Sequence, residues 1–268
     1  MPYADNGDVR IHYQVEGEGP ALVFQHGFTE SMVDWYESGY VQALRPDYRL
    51  ILIDARGHGA SDKPHDADAY VLNRRVAEVV AVLDALDIAK ALFWGYSMGG
   101  WIGFGIAKYA KERVHALVIG GQHPYARRMG SLRRMVQRGI AQGSGAFVAG
   151  MQEMFGPESA DRKKRLLSAD LEAYLALAQD RPGLDDILST MLMPCCLYAG
   201  EIDPIYPEVE ACSRHIPRVT FFSLPGLSHC DAYARSELVL PRVTGFFKAL
   251  STSCGRTRPS RRRATFQA

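Results

Sequence analysis

The 268-residue chain lacks several features that would assign it to particular classes of protein. No run approaches the roughly 18 consecutive apolar residues that a membrane-spanning helix needs. The five cysteines are odd in number and form no CxxC pair, which argues against a disulfide framework and favours a reducing compartment. The first residues show no charged segment followed by an apolar one, so we expect no signal peptide and a cytoplasmic protein.

The chain also has no large excess of positive or negative charge, because its net charge is only +1. Five arginines stand near the end of the chain, and without them the chain carries 26 basic and 30 acidic residues. Such a mildly acidic body offers no extended positive field for nucleic acid, and we expect neither a nucleic-acid nor a membrane partner. Residues 252–268 hold those arginines and are predicted to form a disordered basic tail.

Motifs for metals and nucleotides are missing as well. The sequence contains no H-E-x-x-H, no Cys–His cluster and no G-x-x-x-x-G-K. We therefore predict that the protein uses no metal and no cofactor.

Apolar runs instead alternate with helical patterns along the chain. This alternation predicts an α/β fold, a mostly parallel sheet flanked by helices on both faces. Ser31 is a candidate N-cap, and Pro241 should start or kink the last helix. The predicted strands are 9–15, 21–25, 49–54, 91–95, 115–121, 194–200 and 218–224, and the predicted helices are 32–44, 70–87, 98–111, 207–215 and 236–250.

The rhythm breaks between residues 122 and 194, where no convincing strand occurs. This stretch is rich in Arg and Met and has helical patterns, and insertions of this length between strands are usually functional. We predict a helical cap over 124–182, inserted into a core formed by 1–123 and 183–251. The arginines of the cap are expected to form a solvated face rather than to attract an acidic substrate; they are Arg127, Arg128, Arg133, Arg134 and Arg138.

The segment "GYSMG" places Ser97 between two glycines, directly after a predicted strand and directly before a predicted helix. This G-x-S-x-G pattern is typical of a nucleophile elbow, a tight turn that exposes the serine. A serine hydroxyl needs a base and an orienting acid, which in this pattern follow in the order Ser, acid, His. Asp203 and His229 each come just after a predicted strand, in that order, and Glu201 is the alternative acid.

An oxyanion hole requires two backbone N–H groups near the serine. One should come from Met98, the residue after the nucleophile. The loop after strand 21–25 reads "HGF", and the N–H of Phe28 is the other candidate donor.

Five segments in order, "HGF", "DARGHGASDKP", "GYSMGG", "AGEIDPI" and "PGLSH", resemble the α/β-hydrolase superfamily. The resemblance covers residues 2–251 and is strongest to the small cap-bearing esterases, lactonases, perhydrolases and carbon–carbon hydrolases. It implies an eight-stranded sheet with the cap inserted after strand 6, a Ser97–Asp203–His229 triad, and an oxyanion hole at Phe28 and Met98. Haloalkane dehalogenases and epoxide hydrolases carry Asp at the elbow, so Ser97 favours acyl transfer.

These residues predict a serine hydrolase that cleaves small to medium, mainly apolar carboxylic esters. The alternatives are a lactonase or carbon–carbon hydrolase with the same triad, or a small-molecule receptor on a hydrolase scaffold. The sequence leaves open whether the protein is a monomer or a homodimer. The candidate substrate contacts are Trp35, His123, Tyr125, Met151, Met154, Phe155 and Tyr206.

Overall fold

The computed structural model describes residues 2–157 and 159–254. Eight strands form one sheet in the order β1-β2-β4-β3-β5-β6-β7-β8, in which β1–β2 and β2–β4 are antiparallel and all later pairs are parallel. The predicted α/β fold with a mostly parallel eight-stranded sheet is therefore confirmed. The strands are β1 Tyr3–Asn6, β2 Val9–Glu16, β3 Ala21–Gln25, β4 Arg49–Ile53, β5 Ala91–Tyr96, β6 Val114–Gly120, β7 Cys195–Gly200 and β8 Val219–Leu224.

Helices cover both faces of this sheet, and each face has its own apolar core. On one face lie α3 (Leu72–Ala85), α4 (Met98–Tyr109) and α9 (Tyr206–Ser213). On the other lie α1 (Met32–Glu37), α2 (Tyr40–Leu44), α10 (His229–Ala234) and α11 (Ser236–Cys254). Because β3 to β7 are buried on both sides, their sequences read as continuous apolar runs rather than alternating ones.

Four local features differ from the sequence-based prediction. The helix predicted over 32–44 is broken into α1 and α2 at Gly39, whose φ of +80° is in the left-handed region. Pro241 lies inside α11 and does not start it, while the alternative, that Pro241 kinks the helix, stays a prediction. Strand β1 and helix α10 were not predicted from the sequence. Ser31 is the N-cap of α1, as predicted, and it forms a capping box with Asp34.

Four helices lie between β6 and β7: α5 (Gly130–Gln142), α6 (Ser144–Phe155), α7 (Ala160–Leu167) and α8 (Leu171–Leu177). They enclose a small apolar core of their own, against which Phe28 of the loop after β3 also packs. We call these four helices the cap. Of the predicted basic tail, residues 252–254 belong to α11, and the remainder lies outside the described residues. None of the helices in the described ranges is long and apolar enough to cross a bilayer.

The cap is joined to the loop after β3 by ion pairs as well as by apolar contacts. Arg162 of α7 donates to Asp34 Oδ1 at 2.7 Å and to Thr29 Oγ1 at 3.3 Å. Arg165 donates to the same Asp34 oxygen at 3.1 Å and also pairs with Glu37. The side chain of Asp34 is only 6% exposed, so its charge-assisted bonds to Arg162 and Arg165 are largely shielded from solvent and join α7 to α1.

Candidate active site

Ser97 sits at the turn between β5 and α4, where the backbone is strained. Its φ of +51° and ψ of −110° are sparsely populated for a residue with a side chain, a conformation that costs roughly 1–3 kcal/mol and clusters at functional sites. Glycines make the turn possible. A Cβ on Gly95 would lie 2.2 Å from the carbonyl oxygen of Gly99, and one on Gly99 would lie 2.0 Å from that of Gln25.

The structure brings Ser97, His229 and Asp203 together from three different strand ends. His229 Nε2 lies 2.9 Å from Ser97 Oγ, and its Nδ1 lies 2.5 Å from Asp203 Oδ2. The Asp203 side chain is 2% exposed, and its other oxygen accepts the N–H of Ile205 at 3.1 Å. These contacts can pass the serine proton to the imidazole while the buried carboxylate fixes the ring.

His229 is held at the first position of α10, the short helix that the sequence analysis missed. Ser228 caps this helix in a capping box with Asp231. The hydroxyl of Tyr96, the residue before Ser97, donates to the His229 carbonyl oxygen at 2.6 Å. The alternative acid, Glu201, accepts instead from the Ser223 hydroxyl at 2.7 Å, so Asp203 is the carboxylate at the histidine.

The loop carrying Phe28 lies beside the serine. A Cβ on Gly27 would be 3.5 Å from the Ser97 Cβ. In the described part of the chain no acceptor occupies the N–H of Phe28 or of Met98, which opens α4. Both donors are therefore available to an oxyanion, and the N-terminal end of α4 adds partial positive charge.

Buried polar groups on both sides of Phe28 fix this loop. His26 donates through Nδ1 to the Gly27 carbonyl at 2.7 Å and accepts the Ala55 N–H at Nε2 at 3.0 Å. His58 Nε2 accepts the Thr29 N–H at 3.3 Å. Burial lowers the pKa of both histidines, which keeps these rings neutral and able to accept.

Glu30 closes the same loop, a role that the sequence analysis missed. Its Oε2 accepts the Gly27 N–H at 2.7 Å. Burial raises the pKa of Glu30 to about 7, while the positive charge of Arg162 opposes the shift. The loop segment "HGFTE" thus holds its own acceptor, a signal that could have been read from the sequence.

A cavity of about 540 Å³ opens in front of Ser97 and His229. Its apolar wall includes Phe28, Leu132 and Ile205, and it contains two predicted contacts, Met154 and Phe155. Three arginines also line it: Arg127, Arg128 and Arg181. Arg127 and Arg128 are exposed to solvent, as expected, and they also line this cavity. Arg133 pairs with Asp180 and Arg138 with Glu153.

Five predicted substrate contacts do not line this cavity. Trp35 is fully buried beneath the site, among the rings of the α1–α2 core, and Met151 is buried in the core of the cap. His123 is 5% exposed, and its Nδ1 accepts the Tyr125 N–H. Tyr125 and Tyr206 pack against the apolar core of the α3–α4 face. The sequence shows that these side chains are apolar or aromatic, but it does not show whether each one is buried in a core or lines a pocket.

Comparisons with known proteins identify the family and the fold. A family model described as the alpha/beta hydrolase fold matches residues 20–231. The chain is 35% identical over 150 residues to a Bacillus subtilis (strain 168) protein named for 2-succinyl-6-hydroxy-2,4-cyclohexadiene-1-carboxylate synthase, a match that covers 52% of this chain and 54% of that protein. It is 30% identical over 216 residues to 3-oxoadipate enol-lactonase 2 of Acinetobacter baylyi, with 74% of this chain and 78% of that protein covered.

A solved structure shares the fold over most of the chain. The enol-lactonase of Burkholderia xenovorans LB400 superposes with a TM-score of 0.81 at 21% identity, covering 92% of this chain and all of that one. Identity this low shows the fold alone. The chain spans about half the length of the Bacillus subtilis relative, so that match carries no conclusion about a shared activity.

Proposed function

Because the chain belongs to the α/β-hydrolase fold family and is a hydrolase, we propose that it cleaves carboxylic esters through an acyl-enzyme formed on Ser97. The observation that carries the proposal is the unbroken contact path from Ser97 Oγ through the His229 ring to Asp203. A serine nucleophile also separates this chain from relatives that need a carboxylate at the elbow.

In the first step His229 Nε2 takes the Ser97 proton as Oγ attacks the substrate carbonyl. Asp203 holds the imidazole in the required tautomer and stabilises the imidazolium. The N–H groups of Phe28 and Met98 donate to the negative oxygen of the tetrahedral intermediate. The intermediate collapses when His229 gives the proton to the leaving alcohol, which departs and leaves the acyl-enzyme.

In the second step water takes the place of the alcohol. His229 removes a proton from this water, and the hydroxide attacks the acyl carbonyl. The second tetrahedral intermediate collapses with return of the proton to Ser97 Oγ, and the carboxylic acid is released. The mainly apolar wall formed by Phe28, Leu132 and Ile205 suits the hydrocarbon part of such a substrate.

A lactone is the second candidate substrate, since the similarity to an enol-lactonase extends over three quarters of the chain. Lactone opening uses the same nucleophile, base and oxyanion hole, and only the leaving group stays attached to the product. A panel of p-nitrophenyl esters of increasing acyl length, assayed beside several lactones, decides between the two. A preference for any lactone over every linear ester would replace esterase by lactonase in the proposal.

The test of the proposal is multiple turnover of p-nitrophenyl butyrate by the wild-type protein and its loss in Ser97→Ala. Removing the nucleophile of such a triad lowers turnover by about 10⁶-fold. Ser223→Ala is the matched control, because the Ser223 hydroxyl faces Glu201 and lacks a histidine partner. A single turnover per molecule in the wild type would instead indicate a receptor, and activity that survives Ser97→Ala would refute the proposal.

A further inference from the structure

The cavity in front of Ser97 carries an excess of positive charge that the proposed chemistry does not use. Arg127, Arg128 and Arg181 line it, and Asp203 is the one acidic residue among the described lining residues. Asp203 is already engaged by His229 and is 2% exposed at its side chain. The cavity therefore presents three cations and no carboxylate that is free to neutralise them.

The backbone holds two of these arginines side by side. Arg127 and Arg181 form an isolated antiparallel bridge, in which each N–H donates to the other's carbonyl oxygen at 3.0 and 2.9 Å. Residues paired in this way project their side chains to the same face, and like charges directly opposite each other are destabilising. The fold thus maintains a repulsive pair at the wall of the cavity.

No carboxylate within the described ranges compensates this repulsion. Neither Arg127, Arg128 nor Arg181 forms an ion pair there or donates a side-chain hydrogen bond to the protein. Arg181 instead lies over the Trp101 ring, with its guanidinium carbon 5.5 Å from the ring centre. Burial, together with the positive charges of Arg75 and Arg127, lowers the pKa of Arg181 to about 9, so it is still protonated at neutral pH.

Other arginines around the site behave differently. Arg162 and Arg165 both donate to Asp34, and Arg133 pairs with Asp180. The three arginines that line the cavity form no such ion pair among the described residues. The same holds for Arg134, but its side chain donates to the Ser131 hydroxyl and lies outside the cavity. Guanidinium groups bind carboxylates through paired hydrogen bonds. Arg181 is partly buried, which strengthens such bonds, whereas Arg127 and Arg128 are exposed to solvent.

On the basis of the proposed function, we propose that the substrate is an ester or lactone that carries a second, free carboxylate, and that Arg127 and Arg181 bind this carboxylate while Ser97 attacks the ester carbonyl. Arg128 adds a third positive charge to the lining of the cavity. A singly charged carboxylate fits better than a phosphate dianion, because Leu132, Phe155 and Ile205 make much of the same wall apolar and a dianion costs more to desolvate. These arginines act as specificity residues and are not required for the proton transfers at Ser97.

Monoethyl adipate and ethyl hexanoate test the proposal, because they differ only by a carboxylate in place of a methyl group at the far end of the acyl chain. The wild-type protein should have a kcat/KM at least tenfold higher for monoethyl adipate, mainly through a lower KM. In Arg127→Gln and Arg181→Gln this ratio should fall at least tenfold. Arg134→Gln is the matched control, because Arg134 lies on α5 outside this cavity and its removal should leave the ratio unchanged.

A second measurement keeps this proposal separate from the esterase proposal. Calorimetric titration of Ser97→Ala with adipate should show binding that is lost when Arg181→Gln is added. Adipate binding without turnover of either ester would retain the carboxylate site and refute the esterase function. Turnover of both esters with a ratio near one, insensitive to the arginine changes, would retain the esterase and overturn the carboxylate site. Tighter binding of inorganic phosphate than of adipate would also overturn it.

Discussion

The turn at Ser97 depends on the absence of a side chain at Gly95, and Gly95→Ala measures this dependence. The added Cβ would lie 2.2 Å from the Gly99 carbonyl oxygen and 2.4 Å from its carbon, both of which are backbone atoms. Backbone atoms cannot rotate out of the way as a flexible side chain can, so β5 and the start of α4 must separate by roughly 1 Å. A displacement of that size at a catalytic group can cost about 100-fold in rate.

The same substitution should also destabilise the fold. Overpacking in a rigid interior costs about 1–3 kcal/mol, and the upper end applies here because the contact is backbone against backbone. For a chain of this size each kcal/mol lowers Tm by about 2–4 °C, so a decrease of roughly 6–12 °C is expected. The assays are thermal unfolding followed by circular dichroism and kcat/KM for p-nitrophenyl butyrate.

Gly245→Ala is the control, for which the expected change in Tm has the opposite sign. Gly245 is exposed inside α11, and an added Cβ there would meet no atom within 4 Å. Alanine favours a helix over glycine by about 1 kcal/mol, so Tm should rise by about 2–4 °C with no change in activity. A Gly95→Ala protein with unchanged Tm and full activity would refute the account of the turn.

Three further predictions follow from the contacts around the site. Asp203→Asn should lower kcat for p-nitrophenyl butyrate by about 10⁴-fold, since the amide favours the wrong imidazole tautomer; a loss below tenfold would contradict the role of Asp203. Arg162→Met should lower the free energy of unfolding in urea by about 1–3 kcal/mol, because Asp34 loses a charge-assisted donor at 2.7 Å, and an unchanged value would show that the cap does not depend on this pair. Burial lowers the pKa of His58 well below its ordinary value of 6.5, so below pH 6.5 the unfolded chain takes up a proton that the folded chain does not. The stability that this neutral ring contributes is present above pH 6.5 and is lost at about 1.4 kcal/mol per pH unit below it. Between pH 7 and pH 5.5, the free energy of unfolding in urea should therefore fall less for His58→Gln than for the wild type. Equal decreases in the two proteins would contradict the view that His58 is neutral in the folded chain.

The positions of the three candidate catalytic residues were predictable because each follows a strand that is easily recognised in the sequence. Ser97, Asp203 and His229 all stand just beyond β5, β7 and β8, and the carboxyl ends of parallel strands meet at one edge. The helix α10 was missed because it is six residues long and directly follows the strand-and-turn signal of β8.

The residues that line the cavity were less predictable than the candidate catalytic residues. Met151 and Met154 lie on the same short helix of the cap, yet Met151 is buried in the core of the cap and Met154 lines the cavity. Arg181 could not be associated with Arg127 from the sequence, because the backbone bridge between them joins residues at opposite ends of the cap insertion. Such pairings depend on tertiary packing rather than on local pattern.

Every step of the proposed mechanism requires that the substrate acylates Ser97. Incubation with a fluorophosphonate followed by peptide mass spectrometry tests this directly. We expect one phosphonyl group per chain, on the peptide containing Ser97, and loss of labelling in His229→Ala. An adduct on another residue, or no adduct on a protein that still turns over esters, would contradict it.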